Sequence, residues 1–303
     1  MLTPFNEDRS IDWWGVDALA EWYIYTKVSG LFACSRSGEV DELMDDERVD
    51  LVKRVVCRSD GRLPVVACGG FGDTLDERVE SIKRIADTGV AAVILVANRL
   101  VDEQADEFEW LTAVESLLEK TGQIPLGISE SEYPYYRTVS PRILSELAES
   151  GRFYFLQENS HDSDVALAKM RAVYGSPLQI YHANIPSLFD TLLGGVHGTS
   201  ATAINFYPHL LVWLCDRFNN DAVRARSVHD FLCAFDPLLH LKYPMSAKMY
   251  LNRFWGLPIG VTTRRETRNF STEDMRRLKG LSGAVEHLQR QIKLNDELIW
   301  LSR

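Results

Sequence analysis

Nowhere in this 303-residue chain do apolar residues run unbroken for anything near the roughly 20 positions that a membrane-crossing helix needs. The opening Met1-Leu2-Thr3-Pro4-Phe5 gives way at once to Asn6, Glu7, Asp8 and Arg9, so no secretory signal is expected and the expected location is cytoplasmic. Cysteine is scarce: Cys34, Cys57, Cys68, Cys215 and Cys233 are odd in number and form no CxxC pair. Reduced thiols packed in the interior are the reading that fits. Positive charge is also short, with 33 Lys and Arg against 43 Asp and Glu and a formal net charge of -10. That argues against a nucleic-acid or anionic-membrane partner. Small anionic ligands stay open, because they respond to local charge.

What is present is a rhythm. Hydrophobic residues make up 46% of the chain and charged ones 25%, enough for a sizeable core. Short apolar runs alternate with longer amphipathic stretches: Gly30–Cys34, Pro64–Cys68, Ala91–Val96, Ile124–Ile128, Phe153–Leu156, Leu178–Tyr181 and Gly198–Ile204 read as strands. Helices are expected around Leu51–Val56, Val79–Ala86 and Ala105–Glu119. Near-continuous apolar strands, each followed by a helix, predict a parallel sheet buried on both faces. Seven such units, with a stub at Thr3-Pro4-Phe5, predict a (β/α)₈ TIM barrel over residues 1–219. Past Asn219 the pattern turns helical (Val223–Phe235, Ser246–Trp255, Thr272–Ile299), so residues 220–303 are expected to form a helical extension packed on the barrel.

Several ordered segments resemble the dihydrodipicolinate synthase / N-acetylneuraminate lyase family of class I aldolases. Thr3-Pro4-Phe5 with Ile11-Asp12 is similar to the family's opening. Ser37-Gly38-Glu39 resembles its Gly-Thr-Thr-Gly-Glu turn. Arg62–Ala67 and Asp87–Ala92 match its next units, and Gly195–Gly198 with Asn205 and Pro208 is similar to its last strand. The tract Tyr133-Pro134-Tyr135, with Gly151–Leu156, resembles a branch of the family whose function is poorly defined. The resemblance spans essentially the whole chain and implies the barrel, a lyase activity, no cofactor and a homotetramer or homodimer.

It also implies which chemistry is missing. Family members that act on pyruvate use a lysine for an imine, a tyrosine as proton relay and a hydroxyl pair for the carboxylate. Those positions hold Gln157, Ser129 and Arg36-Ser37 here, and the arginine expected after the tyrosine falls near Pro134. An amide nitrogen, its lone pair delocalised, cannot form the imine. No other lysine stands at a strand end to replace it.

In such barrels the site gathers at the C-terminal ends of the strands, where this chain places Arg36, Ser37, Glu39, Asn98, Arg99, Ser129, Glu130, Gln157, Asn159, His182, Asn184 and Asn205. Gln157, His182, Ser129 and Tyr135 are the catalytic candidates; Arg36, Ser37, Asn205, Arg99 and Glu130 are the substrate-binding ones. Strand alternation sends Glu158 to the side opposite Gln157. The planar fork of Arg36 suits a carboxylate, with an ion pair to Glu39 or Asp41 as the structural alternative. Ser37 donates to the same anion or caps the next helix. His182 is a general base or a hydrogen-bonded structural residue. Tyr133, Tyr135 and Tyr136 form a lid, a relay or a subunit contact. No HxH or HxxE spacing supports a metal, and none is expected.

Three readings follow. One is a lyase-like enzyme that handles a small carboxylate or 2-oxo acid without a lysine Schiff base. The second is a pseudoenzyme that binds such a metabolite without turnover. The third is a purely structural oligomer, for which no residue speaks specifically.

Overall fold

The structure is a computed structural model that describes residues 1–265 and 269–294. Its helices are α1 (Trp13–Tyr25), α2 (Asp45–Ser59), α3 (Leu75–Ala86), α4 (Glu107–Lys120), α5 (Pro141–Glu149), α6 (Ser163–Ala172), α7 (Ile185–Leu193), α8 (Pro208–Arg217), α9 (Ala222–Leu239), α10 (Met245–Phe254) and α11 (Thr272–Gln291). Its strands are β1 (Leu31–Ala33), β2 (Val65–Cys68), β3 (Ala92–Val96), β4 (Leu126–Ser129), β5 (Phe153–Glu158), β6 (Gln179–His182) and β7 (Gly198–Thr199).

The chain separates into two units. One holds residues 1–44, 54–64 and 202 onward; the other holds residues 45–53 and 65–201. Six strands, β2 to β7, lie in the second unit in chain order, each parallel to the next. The apolar runs behave as their composition demands: all five residues of β3 are buried. The intervening helices start on sequence-encoded caps. Thr74 and Asp106 form capping boxes with Glu77 and Glu109, and Ser140 caps α5 ahead of Pro141. Gly127 on β4 is required by close packing, because a Cβ there would lie 2.6 Å from Ile94 and 2.8 Å from the Phe155 carbonyl.

In the first unit the chain start does not form a strand. Phe5 makes a single antiparallel bridge with Ile11, Thr3 donates its hydroxyl to the Gly38 carbonyl, and the Pro4 carbonyl accepts the Asp12 N–H. The expected stub is therefore a buried brace. Gly38 permits it, since a Cβ there would lie 2.6 Å from the Met1 carbonyl. The run expected at Gly198–Ile204 is extended only over β7; Thr202–Asn205 closes into a 3₁₀ turn. The three helices foreseen after Asn219 are present as α9, α10 and α11. Of the stretch foreseen to Ile299, residues 295–299 lie outside the described residues.

Candidate functional site

The tip of β5 organises the candidate site of the second unit. Gln157 pairs in register with Ser129 on β4 and Tyr181 on β6, while Glu158 pairs with His182. A strand alternates its side chains, so Gln157 and Glu158 leave opposite faces. Gln157 Oε1 accepts the Ser129 hydroxyl at 2.7 Å, and its Nε2 donates to the Ser200 carbonyl at 2.7 Å and reaches the Ser200 hydroxyl at 3.2 Å. Phe155 stacks on Tyr181 at 5.1 Å on this same face. The Tyr181 hydroxyl turns to Gln179.

The other face carries charge. Glu130, Glu158, Lys169 and His182 have side chains wholly shielded from solvent. Lys169, on α6, sits 2.6 Å from Glu130 and 2.8 Å from Glu158. Glu130 also accepts the backbone N–H groups of Val139 and Asn159, each at 2.8 Å. His182 bridges Glu158 at 2.5 Å through Nδ1 and Ser187 at 2.7 Å through Nε2. Burial pushes Glu158 upward, but its bonds to His182 and Lys169 outweigh that and hold it down at about 2. For Glu130 burial wins over the attraction of Lys169, and its carboxyl lies above the ordinary range. Lys169 Nζ is thus engaged by two carboxylates at once.

His182 therefore stands with Glu158 and not beside Gln157. Glu130 spends its oxygens on Lys169 and two backbone amides, which makes it a brace between β4, α6 and the segment after β5. Arg99 is exposed, its guanidinium 5.5 Å from the Phe71 ring centre. The Tyr135 hydroxyl donates to the Val101 carbonyl. The tract around it is held from below by Asn98, which donates to the Tyr133 carbonyl at 2.9 Å and the Tyr135 carbonyl at 2.5 Å. Arg137 ties the same tract to the Ala105 carbonyl at 2.8 Å. Tyr136 is exposed and bonded to the Asn159 carbonyl.

The remaining candidates lie in the first unit. Arg36 and Ser37 occupy a 3₁₀ turn, Arg36–Gly38, after β1. Arg36 Nε is 3.9 Å from Asp41, a long ion pair that Asp41 shares with Arg265 at 3.9 Å. Glu39, the alternative partner weighed for Arg36, is buried elsewhere. It accepts Lys248 Nζ at 2.9 Å and the backbone N–H groups of Arg264 and Arg265 at 2.7 and 3.0 Å. Asn205 accepts the Tyr23 hydroxyl at 2.5 Å and donates to the Tyr243 hydroxyl at 3.0 Å, which in turn donates to the Ser37 carbonyl at 3.1 Å. Burial raises both phenols well above their ordinary range.

Lys169, Ser187, Ser200, Tyr23 and Tyr243 were missed by sequence reasoning. Lys169 is one of several helical lysines, and only strand register and the approach of α6 single it out. Parity did signal the Glu158 face, and register with β6 would have added His182 to it. Among the described residues no group of three His, Cys, Asp or Glu is placed to hold a metal, and no helix is long and apolar enough to cross a membrane.

Residues 1–109 match the model of the Dihydrodipicolinate synthetase family. A 4-hydroxy-tetrahydrodipicolinate synthase of Shewanella denitrificans is 25% identical over 230 residues, 76% of this chain and 77% of its own. Another from an Exiguobacterium species is 28% identical over 217 residues, 71% of this chain and 72% of its own. Among solved structures, a prophage protein of Escherichia coli K12 from the dihydrodipicolinic acid synthase family, in complex with pyruvate, superposes with a TM-score of 0.83. It is 20% identical, with 95% of this chain and 96% of that one covered. A dihydrodipicolinate synthase variant described as monomeric gives a TM-score of 0.84 at 19% identity, covering 94% of this chain and 95% of its own. In its first third by sequence, and in fold over nearly all its length, the chain is similar to the dihydrodipicolinate synthetase family.

Proposed function

We propose that the chain is a divergent, lyase-like member of the dihydrodipicolinate synthase family. It acts on a small carboxylate or 2-oxo acid without a lysine Schiff base. One observation carries this reading: the side chains at the positions of the family's imine lysine and relay tyrosine, Gln157 and Ser129, touch each other as an amide and a hydroxyl 2.7 Å apart. The pair is matched. A Gln157 N–H turned from the Ser200 hydroxyl to a substrate carbonyl would stabilise negative charge growing on that oxygen, the kind of donor worth about 3 kcal/mol in a water-poor site. Ser129 is the adjacent group able to pass a proton. Arg36 and Ser37 are the proposed anion binders, since a planar guanidinium suits a carboxylate in bidentate contact and a hydroxyl can donate to the same anion. The protein is proposed to work in the cytoplasm, as a homo-oligomer.

A second reading, a metabolite-binding protein without turnover, is favoured by the engagement of the other proton-moving candidates. His182 lies between Glu158 and Ser187, and the Tyr135 hydroxyl is held by Val101.

Thermal melts with pyruvate and other 2-oxo, hydroxy and amino acids, followed by NMR of solvent deuterium entering the bound acid, separate the two. Enzymatic handling predicts a stabilising acid whose effect vanishes in Arg36→Ala, and deuterium exchange that drops about 100-fold in Ser129→Ala. Stabilisation without exchange would establish the second reading. A covalent adduct after borohydride treatment with pyruvate would overturn both.

A further inference from the structure

Behind β5, on the face that the proposed lyase site does not use, three side chains form an arrangement with its own chemistry. Ser187 Oγ is 2.7 Å from His182 Nε2, and His182 Nδ1 is 2.5 Å from Glu158 Oε2. A serine hydroxyl on one imidazole nitrogen, with a buried carboxylate on the other, is the constellation that makes serine nucleophilic on unrelated folds. The supporting contacts sharpen the roles. Glu158 Oε1 is taken by Lys169 at 2.8 Å and by the Ser160 N–H at 3.0 Å, so Oε2 is reserved for His182. An ionised Glu158 accepts a hydrogen bond from the Nδ1–H of His182, and in that tautomer the Nε2 lone pair faces Ser187.

Exposure grades outward along the same line: His182 is buried, Ser187 is half-buried and Pro186 is exposed. Ser187 stands in the first turn of α7, a nine-residue helix capped by Asn184. The positive end of that helix favours negative charge on the serine oxygen or on an attacked carbonyl. Asn184 Oδ1, 2.6 Å from Ser187 Oγ, is a second acceptor for the hydroxyl proton in the resting state.

We propose that Ser187, His182 and Glu158 constitute a serine-nucleophile site for small activated acyl groups, esters or thioesters, distinct from the Gln157 face. Ser187 Oγ bonds to the acyl carbon as its proton passes to His182 Nε2. The bond to the leaving alcohol or thiol then breaks, and that group takes the proton from His182. Solvent water attacks the acyl-serine by the same exchange, releasing the carboxylic acid and restoring Ser187. Atoms and charge balance with water as the only co-reactant.

The test is treatment of the full chain with a fluorophosphonate probe, with the labelled peptide identified by mass spectrometry. Labelling is expected on Ser187 and should slow about 100-fold in His182→Gln, the size of a lost general base. A burst of p-nitrophenolate from p-nitrophenyl acetate should vanish in Ser187→Ala. Absence of label on Ser187, or equal labelling in His182→Gln, overturns the proposal. Should His182→Gln fail to fold, Ser187→Cys replaces it: its thiol should alkylate at least tenfold faster than exposed Cys57 in the same molecule, and equal rates overturn the proposal.

Discussion

Gln157 and Glu158 are neighbours in sequence, yet they enter opposite worlds. The Gln157 face is neutral: an amide, two serines and a stacked aromatic pair, with each polar atom of the amide met at close range. The Glu158 face gathers two carboxylates, a lysine and a histidine, all out of water. The neutral face can lose a member and let solvent or a ligand take its place. The charged face is stable only when complete, because a buried charge without its partner carries the whole cost of desolvation. The charged face also ties β4, β5, β6 and α6 to one another.

The largest expected effect breaks the charged face. Lys169→Met leaves Glu130 and Glu158 buried against each other without a cation, and should lower unfolding free energy by about 3–5 kcal/mol. Urea titration at neutral pH checks this; a loss below 1 kcal/mol would mean that the face is not the strut described.

Next in size is a pH dependence. The folded-state value of Glu158 lies below its unfolded one, so its stabilisation is complete above about pH 4.5 and is lost as pH falls through about 2. Glu130 is raised, and protonating it on the way down works in the opposite direction. Glu158→Gln should therefore flatten the acid limb of the stability curve between about pH 4.5 and 2, whereas Glu130→Gln should act above that window, removing the gain in stability that the wild type shows as pH falls towards about 4.5. Urea midpoints on both sides of about pH 4.5 decide the matter.

The smallest effect belongs to the neutral face. Gln157→Ala should cost about 1–2 kcal/mol, the worth of its hydrogen bonds with Ser129 and Ser200. A loss as large as that of Lys169→Met would erase the distinction between the faces.

Much of the second unit was legible in the primary structure. The runs at Pro64–Cys68, Ala91–Val96 and Phe153–Leu156 are strands within a residue or two, since apolar residues in a parallel sheet have nowhere else to go. Thr74, Asp106 and Ser140 stand as side-chain caps at the starts of α3, α4 and α5. Thr3–Phe5 was harder: a buried, extended tripeptide reads alike whether it joins a sheet or braces a turn, and its partners Gly38 and Asp12 decide. The face that His182 takes was not legible, because an end-of-strand position says nothing about parity until the register with β5 is known.

What the sequence determined by itself is the alternation of strand and helix, the opposite orientation of Gln157 and Glu158, and the identity of the residue at the tip of β5, a glutamine. These follow from periodicities and identities local to the chain. Tertiary structure alone decided the partners: Ser129 with Gln157, Lys169 between two glutamates, Ser187 against His182, Glu39 with Lys248. Those pairs lie 28, 39 and 11, 5, and 209 residues apart. Hydrogen bonds and ion pairs act over about 3 Å in space, and the spacing of residues along a chain carries no such distance until the strands are in register.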